Sequence, residues 1–534
     1  MPSLLASMTR GPTVAGYGNE SDSIQMNASD NALESTGKKV LSATVCGITG
    51  NLAAILGQAV LIPMYLSCLG ATEYGFIAFA STVQSTTRAL DFGLSACATR
   101  DLAISRSANS QDSQPRIIAT YETLTVIIAL IALLGATLAM LGSGIAKTLV
   151  PTTIHHRLSP SLALLLVLLQ AAASYLAGFY SNCLVGLDRQ RLIAAIKMAE
   201  SLSMGLATLA ALTIFDADLG VILALNTILS ATACCLYRIA LSRSSGTLLI
   251  PSHLDITRIR ENMGFALGAW WINTIAILLI HADRFVLLRY LDLATYGKYC
   301  IASTVVAAAY GLVFPALYNA LLPRLARPRL STSESVGDVY RFAVQSSSAI
   351  SALAYISWLL LANALISTWT GSATLGSEIA PVAIVLALGH SINALMLPAH
   401  ALFMATGNSR PPAIASTILG IAFVPLLICL CANYGALGSA VAFLAMNLIY
   451  LVLGMCFLRS LLRRAEIAKV VLQDMAPVAV LVIVAHFLVR HFGFPHGSGM
   501  HLIVPYLATC TISMTAILIL LPSFRRRLVE YCVE

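Results

Sequence analysis

Residues 74–83 read Tyr74-Gly-Phe-Ile-Ala-Phe-Ala-Ser-Thr-Val83, and residues 296–305 read Tyr296-Gly-Lys-Tyr-Cys-Ile-Ala-Ser-Thr-Val305. The same offset of 222 carries outward from these ten positions without a gap. Asn51 meets Asn273, Ala54-Ile-Leu56 meets Ala276-Ile-Leu278, and Leu66 and Leu69 meet Leu288 and Leu291. Beyond the run, Leu90, Phe92 and Ala98 meet Leu312, Phe314 and Ala320. Shared apolar composition produces scattered matches, not a Tyr-Gly pair and a four-residue Ala-Ser-Thr-Val run in one register. The chain is therefore read as an internal repeat.

What repeats is set by composition. Of 534 residues, 10% are Asp, Glu, Lys or Arg and 58% are hydrophobic, and the mean hydropathy is +0.83. An ordinary soluble domain carries about 25% charged residues to cover its surface. This excludes a soluble enzyme, a disulfide scaffold and a disordered chain. Apolar runs of about 20 residues fit membrane helices; barrel strands would alternate over about 10.

The runs lie at 41–66, 74–98, 118–142, 161–186, 191–215, 219–241, 263–290, 296–323, 339–366, 380–405, 411–433, 436–458, 475–493 and 502–522. That predicts an all-α polytopic membrane protein of about fourteen transmembrane helices. With the N-terminus placed inside, 24 of the 32 basic residues fall in cytoplasmic segments. Lys147, Arg157, Arg289, Lys298 and Arg490 fall outside. Such a bias is what membrane insertion selects, and a miscounted helix would scramble it. Both termini are expected in the cytoplasm. The net charge of +8 then reports topology, and no nucleic-acid partner is expected.

Six helices separate the copies. An even number keeps their orientation, so the repeats are parallel. The expected organisation is a polar cytoplasmic tail (1–39), an N-terminal lobe of helices 1–6 (40–245) and a C-terminal lobe of helices 7–12 (246–460). Helices 13 and 14 follow with the C-terminus (461–534). Binding is expected in the cleft between the lobes.

No ATP motor is encoded: Thr36-Gly-Lys-Lys39 lacks the upstream glycine of a phosphate loop. The 12 cysteines, Cys234-Cys235 and Cys429-x-Cys431 among them, have no metal-ligand spacing. No catalytic residue, metal or cofactor is expected.

Several stretches resemble the bacterial polysaccharide exporters, the O-antigen (Wzx-type) flippases of the multidrug/oligosaccharidyl-lipid/polysaccharide (MOP) superfamily. These are Gly50-Asn-Leu-Ala-Ala-Ile-Leu-Gly57, Ile62-Pro63, Leu69-Gly-Ala-Thr-Glu-Tyr-Gly75, Leu90-Asp-Phe-Gly-Leu-Ser95, Asp283-Arg-Phe-Val286 and Ala294-Thr-Tyr-Gly-Lys-Tyr299, with Pro323 closing the eighth helix. The resemblance implies a MATE-like fold of two six-helix lobes plus two C-terminal helices. It also implies alternating-access transport of undecaprenyl-diphosphate-linked oligosaccharide across the bacterial inner membrane, without enzymatic activity. Surface polysaccharide (O-antigen, capsule or exopolysaccharide) would be the product served. H+ or Na+ as coupling ion, membrane lipids and polysaccharide assembly proteins are the partners it suggests.

An ionisable group within a span costs about 2.5–3.5 kcal/mol on insertion scales, so each needs a reason. Arg88 and Asp91 on helix 2, and Lys197 and Glu200 on helix 5, are spaced i,i+3 and so share a face. Asp283 and Arg284 sit near the outer end of helix 7, beside His281. These six residues are the candidates for substrate binding and coupling, the cations meeting diphosphate and a carboxylate taking a proton. The alternative for each spaced pair is mutual neutralisation that locks helices together. His390 and His400 are read as bundle histidines, Trp270-Trp271 as packing residues, and Gly75 and Gly297 as turn residues.

Two other functions remain open. One is a cation-coupled multidrug exporter or lipid II flippase of the same superfamily. The other is a membrane glycosyltransferase or polymerase, disfavoured by short outside loops with few acids (Glu73, Asp216, Asp218, Glu378).

Overall fold

A computed structural model describes residues 57, 59–107, 113–143, 159–215, 217–246, 255–326, 336–406, 410–492, 503–521 and 525. The tail at 1–39 and most of the first predicted run lie outside these residues. The described chain is all helix. Helix α1 spans Ala59–Cys68 and α2 Ala71–Thr86, followed by a 3-10 turn at Thr87–Asp91 and α3, Leu94–Ser107. Next come α4 (Gln114–Ser143), α5 (Pro160–Gly186), α6 (Gln190–Ile214) and α7 (Leu219–Ser245). Then follow α8 (Ile256–Tyr290), α9 (Leu293–Ala326), α10 (Val336–Thr370), α11 (Ala373–Leu395) and α12 (Leu397–Ala405). The remainder is α13 (Arg410–Leu458), α14 (Arg464–Lys469), a π-helical turn at Val470–Met475, α15 (Ala476–Phe492) and α16 (Ile503–Leu520).

Ten of these helices are long and apolar enough to cross a membrane. One of the ten, α13, is two spans broken at Gly435 (φ 55°, ψ −129°), and α2–turn–α3, α1 and α16 account for the other predicted runs. Helix ends follow local chemistry. The side chains of Ser159, Asp218, Asp255 and Ser372 each accept the backbone N–H three residues on, at 3.1–3.3 Å. Such caps satisfy N–H groups that have no partner within the helix. Outward faces stay apolar, with Ile131, Leu134 and Leu206 more than 60% exposed, as hydrocarbon-facing helices require.

Helices α3, α4 and α7 pack around α5, and α10, α11 and α13 pack in sequence. The groups are joined through α2 on α9 and through α8, which touches both α3 and α13. Helices α15 and α16 pack on α10. They are tied there by His486 to the Tyr355 hydroxyl (2.8 Å) and by Tyr506 to Ser357 (3.2 Å).

The two Tyr-Gly pairs of the repeat meet each other. Gly75 and Gly297 do not sit in turns, as the sequence had suggested. They lie in the first turns of α2 and α9, where these helices cross. A Cβ on Gly75 would strike the Leu293 carbonyl, and one on Gly297 would lie 2.9 Å from the Ala71 oxygen. Backbone contact this close requires small residues. Tyr296 hydroxyl and Thr82 Oγ1, 3.2 Å apart, extend the crossing.

Candidate functional site

Arg88 and Asp91 were expected on one face of a continuous helix. The structure instead places both in the 3-10 turn between α2 and α3. Phe92 (φ 48°) and Gly93 (φ 79°) complete the break in left-handed conformations. Asp91 spends its carboxylate locally, accepting from the Ser95 hydroxyl (2.5 Å) and the Ser95 N–H (3.2 Å). It thereby restarts α3 as a helix cap would. The pair does not neutralise itself: among the described residues Arg88 makes no ion pair, and its side chain is exposed.

Helix α8 closes on this break. Phe92 stacks on Trp270 with centroids 5.4 Å apart, and Trp270 Nε1 donates to the Ala89 carbonyl at 2.7 Å. That carbonyl is one the interrupted helix leaves over. Gly93 lies flush on Ala266, whose carbonyl leaves no room for a Cβ. Toward its start, α8 is bound polarly. Asp101 Oδ2 accepts from Asn262 Nδ2 (3.0 Å) and the Tyr121 hydroxyl (3.1 Å), with Arg258 at 3.5 Å. Contacts at 258, 262, 266 and 270 recur at the period of one helical face.

Farther along α8, Asp283 and Arg284 share surroundings but differ in hydrogen bonding. Asp283 accepts from the Tyr299 hydroxyl at 2.5 Å, and Ser439 Oγ donates to that hydroxyl at 3.0 Å. Asp283 thus points at α9 and the second half of α13. Arg284 is drawn by the dipoles and charges of Asp283, Tyr296, Tyr299 and Cys300, and its Nε is buried without a hydrogen-bond partner. One turn back, His281 feels the charges of both Arg284 and Arg88. Its Nδ1 is also buried and unpartnered. His281 Nδ1 and Arg284 Nε thus place two buried, unpartnered nitrogens about one turn apart on α8, with the exposed Arg88 near enough for its charge to be felt at His281. Orphaned buried donors are costly, so such a group suits an anionic ligand.

The family model for polysaccharide biosynthesis proteins matches residues 37–328, more than half the chain. The chain belongs to that family. No curated protein sequence matches it. Among solved structures, it is similar to the lipid II flippase MurJ in an inward closed conformation (TM-score 0.65, 14% identity, 92% of this chain and 100% of that one). It is also similar to an inward-facing multidrug-resistance MATE transporter of the MOP superfamily (TM-score 0.56, 10% identity, 78% and 95%). A MATE transporter from Vibrio cholerae follows (TM-score 0.52, 15% identity, 80% and 98%). At these identities the likeness shows the fold, which is that of MOP-superfamily flippases and exporters. The solved structures that share this fold are a flippase and multidrug transporters.

In this polysaccharide biosynthesis protein, Lys197 and Glu200 stand apart from the α2–α8 group. They lie on α6, which packs mainly on α7 and α5. They feel each other's charge but do not approach to ion-pair distance. Trp270 is a packing residue as expected, while Trp271 is about half exposed. His390 lies between the rings of Tyr310 and Phe443 at 5.3 and 4.8 Å. No group of metal-ligating side chains occurs among the described residues.

Three polar clusters escaped sequence reading. Besides the Asp101 cluster, Glu122 binds Arg238 (2.6 Å) and the Tyr180 hydroxyl (2.9 Å). Asp474, fully buried, takes two bonds of 2.9 Å from Arg341 and one of 2.6 Å from Gln345. Their members come from runs far apart in sequence. The one legible signal was the mere presence of Glu122 in an apolar run.

Proposed function

We propose that this chain is a flippase for a lipid-linked oligosaccharide, carrying an undecaprenyl-diphosphate glycan across the bacterial inner membrane for surface polysaccharide assembly. The observation that carries the reading is on α8 and the turn before α3: His281 Nδ1 and Arg284 Nε are buried without a hydrogen-bond partner, and the exposed Arg88 makes no ion pair among the described residues, a set of cations suited to a diphosphate. In this reading helices 1–6 and 7–12 act as lobes, both termini are cytoplasmic, and the α2–α9 and α3–α8 contacts open alternately. Asp283, hydrogen-bonded through Tyr299 to Ser439, would take the coupling proton. Binding at a membrane-embedded cation pair is strong because little water competes.

The test is leaflet-resolved detection of undecaprenyl-linked oligosaccharide in cells lacking the protein, complemented with wild type, Arg88→Ala, Arg284→Ala or Asp283→Asn. Cytoplasm-facing accumulation cured by wild type and not by the arginine variants is the expected result. Normal lipid-linked glycan in the deletion, with altered drug susceptibility alone, would transfer the reading to a drug exporter.

A further inference from the structure

Helix α8 is held unevenly. Only four of its 35 residues are buried, Ala266, Ile275, Ala282 and Leu287, whereas α5 buries twelve of 27. Its first third is fastened by a seam in antiparallel order: Ala89, Gly93, Cys97 and Asp101 meet Trp270, Ala266, Asn262 and Arg258 in turn. Toward the break the seam is apolar and tight against the backbone. Toward the start of α8 it is polar and charged. Asn262 Nδ2 donates to Asp101 and to the Tyr121 hydroxyl, each at 3.0 Å, and that hydroxyl donates to Asp101 at 3.1 Å. Arg258 stands 3.5 Å from the same carboxylate. The Asp255 N–H donates to Thr120 Oγ1 at 3.4 Å, and Arg100 lies over the Phe265 ring at 5.0 Å.

Helices in hydrocarbon have no water to exclude, so packing and polar bonds decide how firmly they associate. Here one carboxylate on α3 collects Tyr121 from α4 and both Asn262 and Arg258 from α8. Hydrogen bonds to a carboxylate are about twice as strong as neutral ones. The α2–α9 crossing has only glycine contact and the neutral Thr82–Tyr296 pair. The Asp101 cluster is also placed to come apart. Asp101 keeps 11% of its side-chain surface exposed and Arg258 32%, so water can replace their bonds when α8 leaves α3. Glu122 and Arg238, by contrast, are more buried and join helices of a single lobe; parting them would strand a charge. We propose that Asp101 is the latch of the gate where α8 begins: its bonds hold α3 against α8, and each transport cycle breaks and re-forms them. The inference rests on the flippase reading, whose two contacts open alternately, and gives one of them a charged catch that the other lacks. Arg100, Arg106, Arg116, Arg258 and Arg260 assign this end to the cytoplasm by their charge.

Cys97 reports the state of the seam. It is 1% exposed, and its Sγ lies 3.9 Å from the Asn262 carbonyl, so a thiol reagent reaches it when α8 departs. The full-length protein in liposomes is treated with N-ethylmaleimide, and alkylation of each cysteine is followed by peptide mass spectrometry. Asp101→Asn and Arg258→Gln should each speed Cys97 alkylation by about tenfold, the factor equivalent to one charge-assisted hydrogen bond. Cys183, fully buried in the same hydrophobic cluster, should stay protected, and its exposure marks a variant that merely fails to fold. Tyr121→Phe, which removes a donor and keeps the ring, then replaces that variant and should act in the same direction. Arg341→Gln breaks an ion pair remote from α8 and should leave Cys97 as slow as in the wild type. Unchanged Cys97 alkylation in folded latch variants overturns the proposal. So does equal acceleration by Arg341→Gln, which would mean general loosening. No substrate enters this measurement, so its failure removes the latch alone, while the flippase reading stands or falls by the leaflet assay.

Discussion

The two copies of the repeat begin alike and then diverge. In the first, α2 ends at Thr86, the chain turns through Arg88–Asp91, and α3 restarts after Gly93. In the second, α9 runs unbroken from Leu293 to Ala326 through the positions that match, Tyr310 to Pro315. Tyr310 stands where Arg88 does, Val313 where Asp91 does, and Pro315 where Gly93 does. Tyr310 keeps its hydroxyl inside the bundle, 3.0 Å from the Ala387 carbonyl and 2.6 Å from Ser391. The difference teaches how two copies of one scaffold can part at a single turn. One copy kept a straight helix with a satisfied aromatic; the other took a break that exposes backbone, fixed it with Asp91 and Trp270, and left a cation facing α8.

Breaking the site that only the first copy has should give the largest effect. Gly93→Ala places a Cβ against the Ala266 carbonyl in a left-handed conformation that costs about 1–2 kcal/mol before any clash. Overpacking adds roughly 1–3 kcal/mol. Unfolding of purified protein should shift by several degrees and transport should fall sharply. Gly311→Ala in the second copy meets open space in a helix and should stabilise by about 0.5–1 kcal/mol. If both behave alike, the break is not what separates the copies.

Gly75→Val and Gly297→Val probe the contact the copies share. Each puts bulk into the α2–α9 crossing, and overpacking there should cost about 1–3 kcal/mol in thermal stability. Matching losses would confirm a shared backbone contact; a loss at one position alone would show that a single copy carries it.

Asp91→Ala removes the cap of α3 and should cost about 0.5–2 kcal/mol. Trp270→Phe keeps the stack on Phe92 but drops one hydrogen bond, worth about 1 kcal/mol. Retained transport with lowered stability in both would leave these residues a purely structural role.

The smallest effect concerns how the copies start. Gly70 opens α2 with no side-chain cap, whereas its counterpart Asp292 accepts from Thr295 Oγ1 at 2.8 Å and from the N–H groups of Ala294 and Thr295 at 3.1 Å. Partial burial alone would raise the Asp292 pKa, but the Thr295 hydroxyl and the backbone amides outweigh it and hold it below 3.8. A carboxyl depressed on folding stabilises above its unfolded pKa, and that stability fades as pH falls through the folded value. Stability should therefore carry a small acid-limb loss below about pH 4 that Asp292→Asn abolishes.

Legibility followed the range of the interaction concerned. Each helix could be read because apolar run length and caps such as Asp218 are local. The Gly75–Gly297 match was visible, but its meaning was not: repetition marked the glycines, while their use as a crossing needed both helices in space. Arg88 and Asp91 were rightly picked as unusual, but the continuous helix expected to carry them is interrupted there by a 3-10 turn. Nothing within five residues announces that Trp270 will cap a carbonyl at Ala89 or that Gly93 must seat Ala266. The Asp101 cluster joins residues 161 apart, beyond any sequence period.

The sequence by itself determined a membrane bundle of parallel repeats, because in hydrocarbon each backbone polar group must be satisfied within its own helix. That requirement is local, so it is written locally. Only the tertiary structure decided which charges meet, since α8 turns one face to α3 and another to α13. Arg284 and Asp283, neighbours in the chain, thereby differ in partners: Asp283 accepts from Tyr299, itself bonded to Ser439, while Arg284 Nε is buried without a hydrogen-bond partner. Direction around a helix changes by about 100° per residue, and its consequence depends on what stands on each side.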